Sequence, residues 1–303
     1  MGPLLFSIYI NDLPETLKCL SLVYADDVTL FADVPSARKR EDSLLAINED
    51  LRAAMDWSTA NQMKFSSAKS QSLLLSRKKD KHKNGPVILD GNEVKNEASL
   101  NLLGVHFSSS GTVSEHLMSK ARTAGKLVSM LRRNRMFLSV KARAQVYFTC
   151  IRPIMEYACP IFVNSAGYAL RALDRIDARA KRLFPTVPSD TLTHRRDVAG
   201  LCVLHSIVHG NVPSLVKSII KPTPLPVTRT TRYNDCLNLA ALKIPVSKTE
   251  AHKNSFLPYY TRLWNSLGNE TVFASSSQDF KRRASRELRT TPIASAEVPV
   301  QER

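Results

Sequence analysis

The chain has 303 residues, 43% of them hydrophobic, with 43 Lys and Arg against 27 Asp and Glu and a formal net charge of +16 at pH 7. That length buries a sizeable core and makes about two domains, and that apolar content excludes a disordered chain. The positive surplus points to an acidic partner, nucleic acid first and an anionic membrane second, while no apolar run reaches the ~18 residues that span a bilayer.

The first residues, Met1 to Leu13, are apolar but lack the basic lead of a signal peptide. The myristoylation pattern fails because Phe6 stands where Ser or Thr is needed. The spacing predicts a helix over Leu4 to Leu13, packed on the core and stopped by Pro14. A domain rarely opens in mid-core, so either a longer polypeptide upstream or a truncated copy that starts at Met1 is expected. Five cysteines, Cys19, Cys150, Cys159, Cys202 and Cys236, are scattered and form no C-x-x-C pair. That usage fits buried thiols in a reducing compartment, hence an intracellular and not a secreted chain, with nucleus or cytoplasm left open.

Leu20 to Phe31 carries two apolar, β-branched and aromatic runs around Ala25-Asp26-Asp27, which predicts a β-hairpin with adjacent carboxylates at its tip. Two carboxylates side by side repel unless a positive charge sits on them, and hard divalent cations take such oxygens. From Pro35-Ser36 to about Asn61, Leu44, Ile47, Leu51 and Met55 fall at helical spacing. Ser72 to Leu75 reads as a strand after a loop that holds Lys69, by itself an ordinary surface lysine. Arg77 to Lys83 is a basic loop. Val87-Ile88-Leu89 and Glu93-Val94 flank Asp90-Gly91-Asn92, a hairpin signal. Leu100 to Phe107 reads as one further strand, in which Gly104 marks a close backbone approach or a bulge.

Ser108 to Gly111 is a cluster of small residues and the predicted domain boundary. Helices follow at about Val113 to Met136, Ser139 to Ile151 and Tyr168 to Leu183. Their outward faces carry Lys120, Arg122, Lys126, Arg132, Arg133, Arg135, Arg171, Arg175, Arg179, Lys181 and Arg182. An apolar helix runs from His194 to about His209, a proline- and threonine-rich linker from Pro222 to Arg232, and short helices over Ser255 to Leu267 and Gln278 to Leu288. Thr290 to Arg303 reads as a frayed tail. Cys202, His205 and His209 share one helix face, and a zinc site can be drawn with His194 or Cys236 as fourth ligand. Buried thiol and satisfied histidines are the stronger reading, since one helix cannot wrap a tetrahedral ion.

Tyr24-Ala25-Asp26-Asp27 resembles the catalytic box of reverse transcriptases, and Gly2 to Pro14 resembles the segment before that box in non-LTR retrotransposon polymerases of the Jockey-like group. The resemblance continues to about Lys281. It implies an α+β chain: a partial polymerase palm over 1–110, an antiparallel sheet with covering helices, then a helical thumb over 111–190 and a C-terminal helical region over 191–303. It implies templated DNA synthesis on RNA, with RNA template, DNA primer and dNTP as partners and no membrane. Asp26 and Asp27 would be catalytic and bind two Mg²⁺ or Mn²⁺ ions of a complete enzyme, ~3.5–4 Å apart in the two-metal scheme. Tyr24 and Ala25 would shape the turn. Lys69 takes the place of a lysine near the incoming nucleotide, although Ser66 stands where the family has Asn. Leu103, Gly104 and Val105 match the strand that grips the primer. Lys120, Lys126, Arg132, Arg133, Arg135, Arg175, Arg179 and Arg182 would hold phosphates, which is independent of base sequence. The family's other catalytic carboxylate and its fingers lie upstream of Gly2, so this chain by itself is expected to be inactive. The alternative is a remnant that binds nucleic acid without catalysis.

Overall fold

A computed structural model describes residues 1–34, 39–76, 85–213, 216–217, 220–224 and 239–290. The fold is α+β, mostly helical, with three separate two-stranded antiparallel sheets. It divides into two compact units, Met1–Thr112 and Val113–Arg303.

In the first unit α1 spans Gly2–Tyr9, with Pro3 in its first turn, where the missing N–H costs nothing. It ends before the expected Leu13, and none of its residues is buried. Pro14 does not stop it. That proline sits instead in the first turn of a separate 3₁₀ helix, Leu13–Thr16. Strands β1 (Leu20–Tyr24) and β2 (Asp27–Phe31) form the first hairpin. Helix α2 spans Arg40–Ala60; the expected start at Pro35-Ser36 lies outside the described residues. Its most buried positions are Asp50, Ala54, Trp57 and Ser58, while Leu44, Ile47, Leu51 and Met55 are half-buried. The core joins Ile10, Leu13, Ala54 and Trp57, with Phe6, Leu17, Val23, Val28, Met63 and Phe65 packed on it. Trp57 donates its indole N–H to Asp12 over 3.1 Å. Asp50 accepts the backbone N–H groups of Lys18 (3.0 Å) and Cys19 (2.6 Å), fixing the entry to β1. Burial pushes the Asp50 carboxyl up, but those N–H donors outweigh it and hold it below the usual carboxylate range.

The strand expected over Ser72 to Leu75 is reduced to one bridge between Ser72 and Asn96. Strands β3 (Val87–Leu89) and β4 (Asn92–Val94) form the second hairpin. Asp90 and Gly91 both have positive φ, the two-residue geometry whose twist matches antiparallel strands. The stretch read as one strand over Leu100 to Phe107 is a third hairpin, β5 (Ser99–Leu102) and β6 (Val105–Ser108). Leu103 and Gly104 form its turn, again with positive φ at both. The glycine was the turn signal; a leucine before it, which resists that conformation, hid the turn.

The second unit is helical. Helix α3 spans Ser114–Arg133 and is followed by a 3₁₀ turn, Arg135–Phe137, where one continuous helix was expected. Helix α4 (Val140–Val146) runs into a π-helical stretch, Tyr147–Ile151, and then α5 (Arg152–Glu156). Pro153 accounts for the widening. It has no N–H for the carbonyl of Thr149 and its ring crowds that oxygen. Helix α6 spans Gly167–Lys181 and packs on α3; α3 buries Leu117, Ala121, Ala124 and Val128, and α6 buries Ala169, Leu173 and Ala180. Helix α7 (Leu192–Val208) is capped by Thr191, whose hydroxyl accepts the N–H of His194. Further along are α8 (Glu250–Lys253), α9 (Phe256–Asn265), α10 (Asn269–Val272) and α11 (Ser277–Thr290). Residues 225–232 of the expected linker and 291–303 of the expected tail lie outside the described residues.

Leu201 and Leu204 of α7 meet Tyr260, Leu263 and Trp264 of α9 and Phe280 of α11 in one buried cluster. A β-carbon on Gly200 would stand 1.9 Å from the Tyr260 ring, so only glycine lets α7 and α9 close. Several polar groups inside this unit are paired, although both ring nitrogens of His205 and the hydroxyl of Thr261 are buried without a hydrogen bond among the described residues. Tyr147 donates to Asp177, Lys181 donates to Asp177 and to the carbonyl of Asp190, and Arg195 pairs with Glu156.

Candidate functional site

At the first hairpin Tyr24 pairs with Asp27, leaving Ala25 and Asp26 as a two-residue turn. Ala25 has φ 53°, a conformation that costs an L-residue roughly 1–2 kcal/mol and that is held here by the strand register. The alternation of the strand puts Asp27 on the same sheet face as Tyr24, and both acids are exposed. Neither carboxylate has an ion-pair or hydrogen-bond partner among the described residues. Their oxygens are the donor type Mg²⁺ takes. Two carboxylates fall short of a coordination sphere, however, and no group of three or more His, Cys, Asp or Glu stands together among the described residues. No chemical step is therefore drawn through a metal on this chain.

Lys69 lies on an exposed turn whose N–H groups at Lys69 and Ser70 donate to Ser66. Met63 and Phe65, just before it, pack in the cluster that holds Val23 and Val28, so this loop and the hairpin share one anchor. Leu103 and Gly104 sit at an exposed hairpin tip, and Val105 is buried beneath it.

In the second unit a groove runs between α3 and α6, lined by Arg122, Gly125, Lys126, Arg132, Arg133 and Arg179. It adjoins a second hollow formed by Arg175, Arg179 and Arg182. Six of the eight phosphate-binding candidates therefore share one surface; Lys120 and Arg135 do not line it. Arg122, read from sequence as an outward cation but not as a phosphate contact, belongs to it, and so do Gly125 and Ser129. The signal was the spacing of 122, 126, 129 and 133, one stripe along a helix.

None of the groove cations forms an ion pair among the described residues. The acids of α6 face the other way. Asp174 pairs with Arg196 at 3.0 Å and Asp177 with Lys181 at 2.6 Å. Arg289 donates twice to Asp190, at 2.8 Å each, and that hydrogen-bonded guanidinium holds the Asp190 carboxyl low. Cations that pack inward are neutralised, and those on the groove are left as a field.

The histidine face of α7 is used for packing. His205 stacks on His209 with ring centroids 4.1 Å apart and lies 4.2 Å from Phe280. Burial, then the neighbouring His209, lowers the His205 pKa. Cys202 is half-buried with its thiol pushed up by burial, and His194 bonds Ser285 at 2.9 Å. Cys236 lies outside the described residues. Among the described residues no helix is long and apolar enough to cross a membrane. No protein-family model, curated protein or solved structure matches the chain.

Proposed function

We propose that this chain is the C-terminal part of a non-LTR retrotransposon reverse transcriptase, and that its own contribution is to hold an RNA–DNA duplex. The observation that carries the binding half is the α3–α6 groove, where Arg122, Lys126, Arg132, Arg133, Arg175 and Arg179 lie together without carboxylate partners among the described residues. Phosphate oxygens are the complement of such a strip, and contact with them does not depend on base sequence. The polymerase half is supported by the resemblance around Tyr24 to Asp27 and by the strained turn that presents those two acids without a partner among the described residues. On this reading Asp26 and Asp27 would contribute two of the ligands for the ions, which would supply charge neutralisation, and Lys69 would stand near the leaving pyrophosphate. Leu103, Gly104 and Val105 serve the primer. A further carboxylate comes from outside this chain.

The groove lies wholly within the second unit and does not need the hairpin. That favours, as second reading, a remnant that binds nucleic acid without chemistry. Primer extension separates the two. Purified 1–303, given an RNA template, a DNA primer, dNTPs and Mg²⁺, is expected to bind the duplex and extend nothing. Supplying an upstream segment with a strand-borne Asp and a basic fingers region should restore synthesis that Asp26→Asn abolishes. Failure of every such combination leaves the remnant, and failure to bind the duplex removes both readings.

A further inference from the structure

Directly after the groove, the chain presents two adjacent apolar side chains to solvent. Met136 is 82% exposed and Phe137 86% exposed. Both stand on the 3₁₀ turn that follows α3, beside Arg132, Arg133 and Arg135. Single exposed hydrophobics are ordinary, but two neighbours at this level, set among three arginines, are not. The turn is fixed. Phe137 donates its N–H to Asn134 over 3.1 Å, and Ser139 caps α4 just beyond by accepting the N–H of Ala142 at 3.2 Å. The side chains are thus presented by a held backbone.

We infer that Met136 and Phe137 form an apolar wedge that contacts bases, stacking on an unpaired or terminal base while the groove holds the flanking phosphates. Charge complementarity names the occupant. Polyanion backbone fits the arginines just before the pair, and a base is the apolar, flat surface that such a backbone carries within reach. Exposed aromatic and thioether groups beside cations also suit an anionic bilayer. The cations here, however, follow one line along α3, Arg122, Lys126 and Arg133, in an open, shallow trough, and a line of charge suits a linear polyanion. The inference rests on the nucleic-acid reading of the groove and adds to it a contact that does not depend on charge.

The test uses the whole chain and an RNA–DNA primer duplex with a single-stranded overhang. Met136→Ser with Phe137→Ser should lower affinity about tenfold, the range of base–aromatic stacking. The salt slope should stay unchanged, since no charge is removed. Arg175→Gln with Arg179→Gln should weaken binding and reduce the slope by about two. A Phe137→Trp variant should keep wild-type affinity, and its indole emission should be quenched on binding. If the serine variant binds like wild type while the groove variant is weakened, the wedge is overturned and the groove reading stands. If the wild type has no affinity for the duplex, the groove reading falls and the wedge with it. If the serine changes leave duplex binding intact but abolish binding to phosphatidylserine vesicles, the wedge is a membrane contact and the inference is wrong.

Discussion

The two units solve the problem of apolar burial in opposite ways. Of the twelve largest fully buried side chains, eleven belong to the second unit and only Leu13 to the first. The second unit closes around Trp264, Tyr260, Phe280 and Tyr147 and neutralises its inner charges in pairs. The first packs one hairpin on a small cluster, carries two further separate hairpins, and leaves Leu4, Leu5, Ile8, Leu22 and Tyr24 exposed. An isolated two-stranded sheet is marginal in water. The difference teaches where each function can stand alone. The basic groove is backed by a complete core, whereas the Asp26–Asp27 turn rests on a scaffold with little of its own.

The sharpest way to break this comparison is to remove a core tryptophan from each unit. Trp264 is 0% exposed and donates its N–H to the carbonyl of Ala240 at 2.9 Å. Trp264→Ala should destabilise the second unit by about 3–5 kcal/mol, the usual range for deleting a large buried aromatic. Trp57 is 7% exposed in a cluster of four buried residues. Trp57→Ala should abolish the cooperative unfolding of the first unit while the helical transition at 222 nm keeps its midpoint in urea. A single transition shifted equally by both variants would show that the units do not unfold separately.

A second test uses pH. Burial pushes the Asp197 carboxyl up to about 6, although Tyr259 donates to it at 2.9 Å. Its folded pKa lies above the unfolded 3.8, so the native state holds the proton more tightly between those values. Stability from this group is full below pH 4, falls as pH rises toward 6 and stays lost above. Asp197→Asn, which keeps an oxygen for Tyr259, should therefore be neutral at pH 4 and stabilising by of order 2 kcal/mol at pH 7.5. Urea midpoints of the two proteins that run parallel across that range would contradict it.

The smallest effect concerns the third hairpin. Leu103 has φ 47°, and Asn tolerates that conformation better than leucine. Leu103→Asn should stabilise the first unit by up to about 1 kcal/mol, read as a rise in its melting temperature. A fall would mean that leucine packing at this exposed tip outweighs its strain.

Much of this was legible. The Tyr24–Asp27 turn was visible because two β-branched runs flank polar residues, and α3, α6 and α7 were visible from their apolar spacing. What stayed hidden has physical causes. The turn at Leu103 was masked by a residue that disfavours its own backbone. The buried Asp50 sits on the apolar face of α2 because Lys18 and Cys19, about thirty residues earlier, supply its donors; no local pattern announces such a partner. The groove needed tertiary packing, since α3 and α6 each show a cationic face but only their pairing, with Asp174 and Asp177 engaged by Arg196 and Lys181, shows which cations remain unneutralised among the described residues.

The central claim is that those cations hold a nucleic-acid backbone. Its most direct measurement is the affinity of the chain for an RNA–DNA primer duplex across a salt series, beside the Arg122→Gln, Arg175→Gln, Arg179→Gln variant. The claim predicts that log K falls linearly with log salt, and that the variant binds less tightly with a slope smaller by about three, one for each lost phosphate contact. Equal slopes for the two proteins, or no binding by the wild type at low salt, would contradict it.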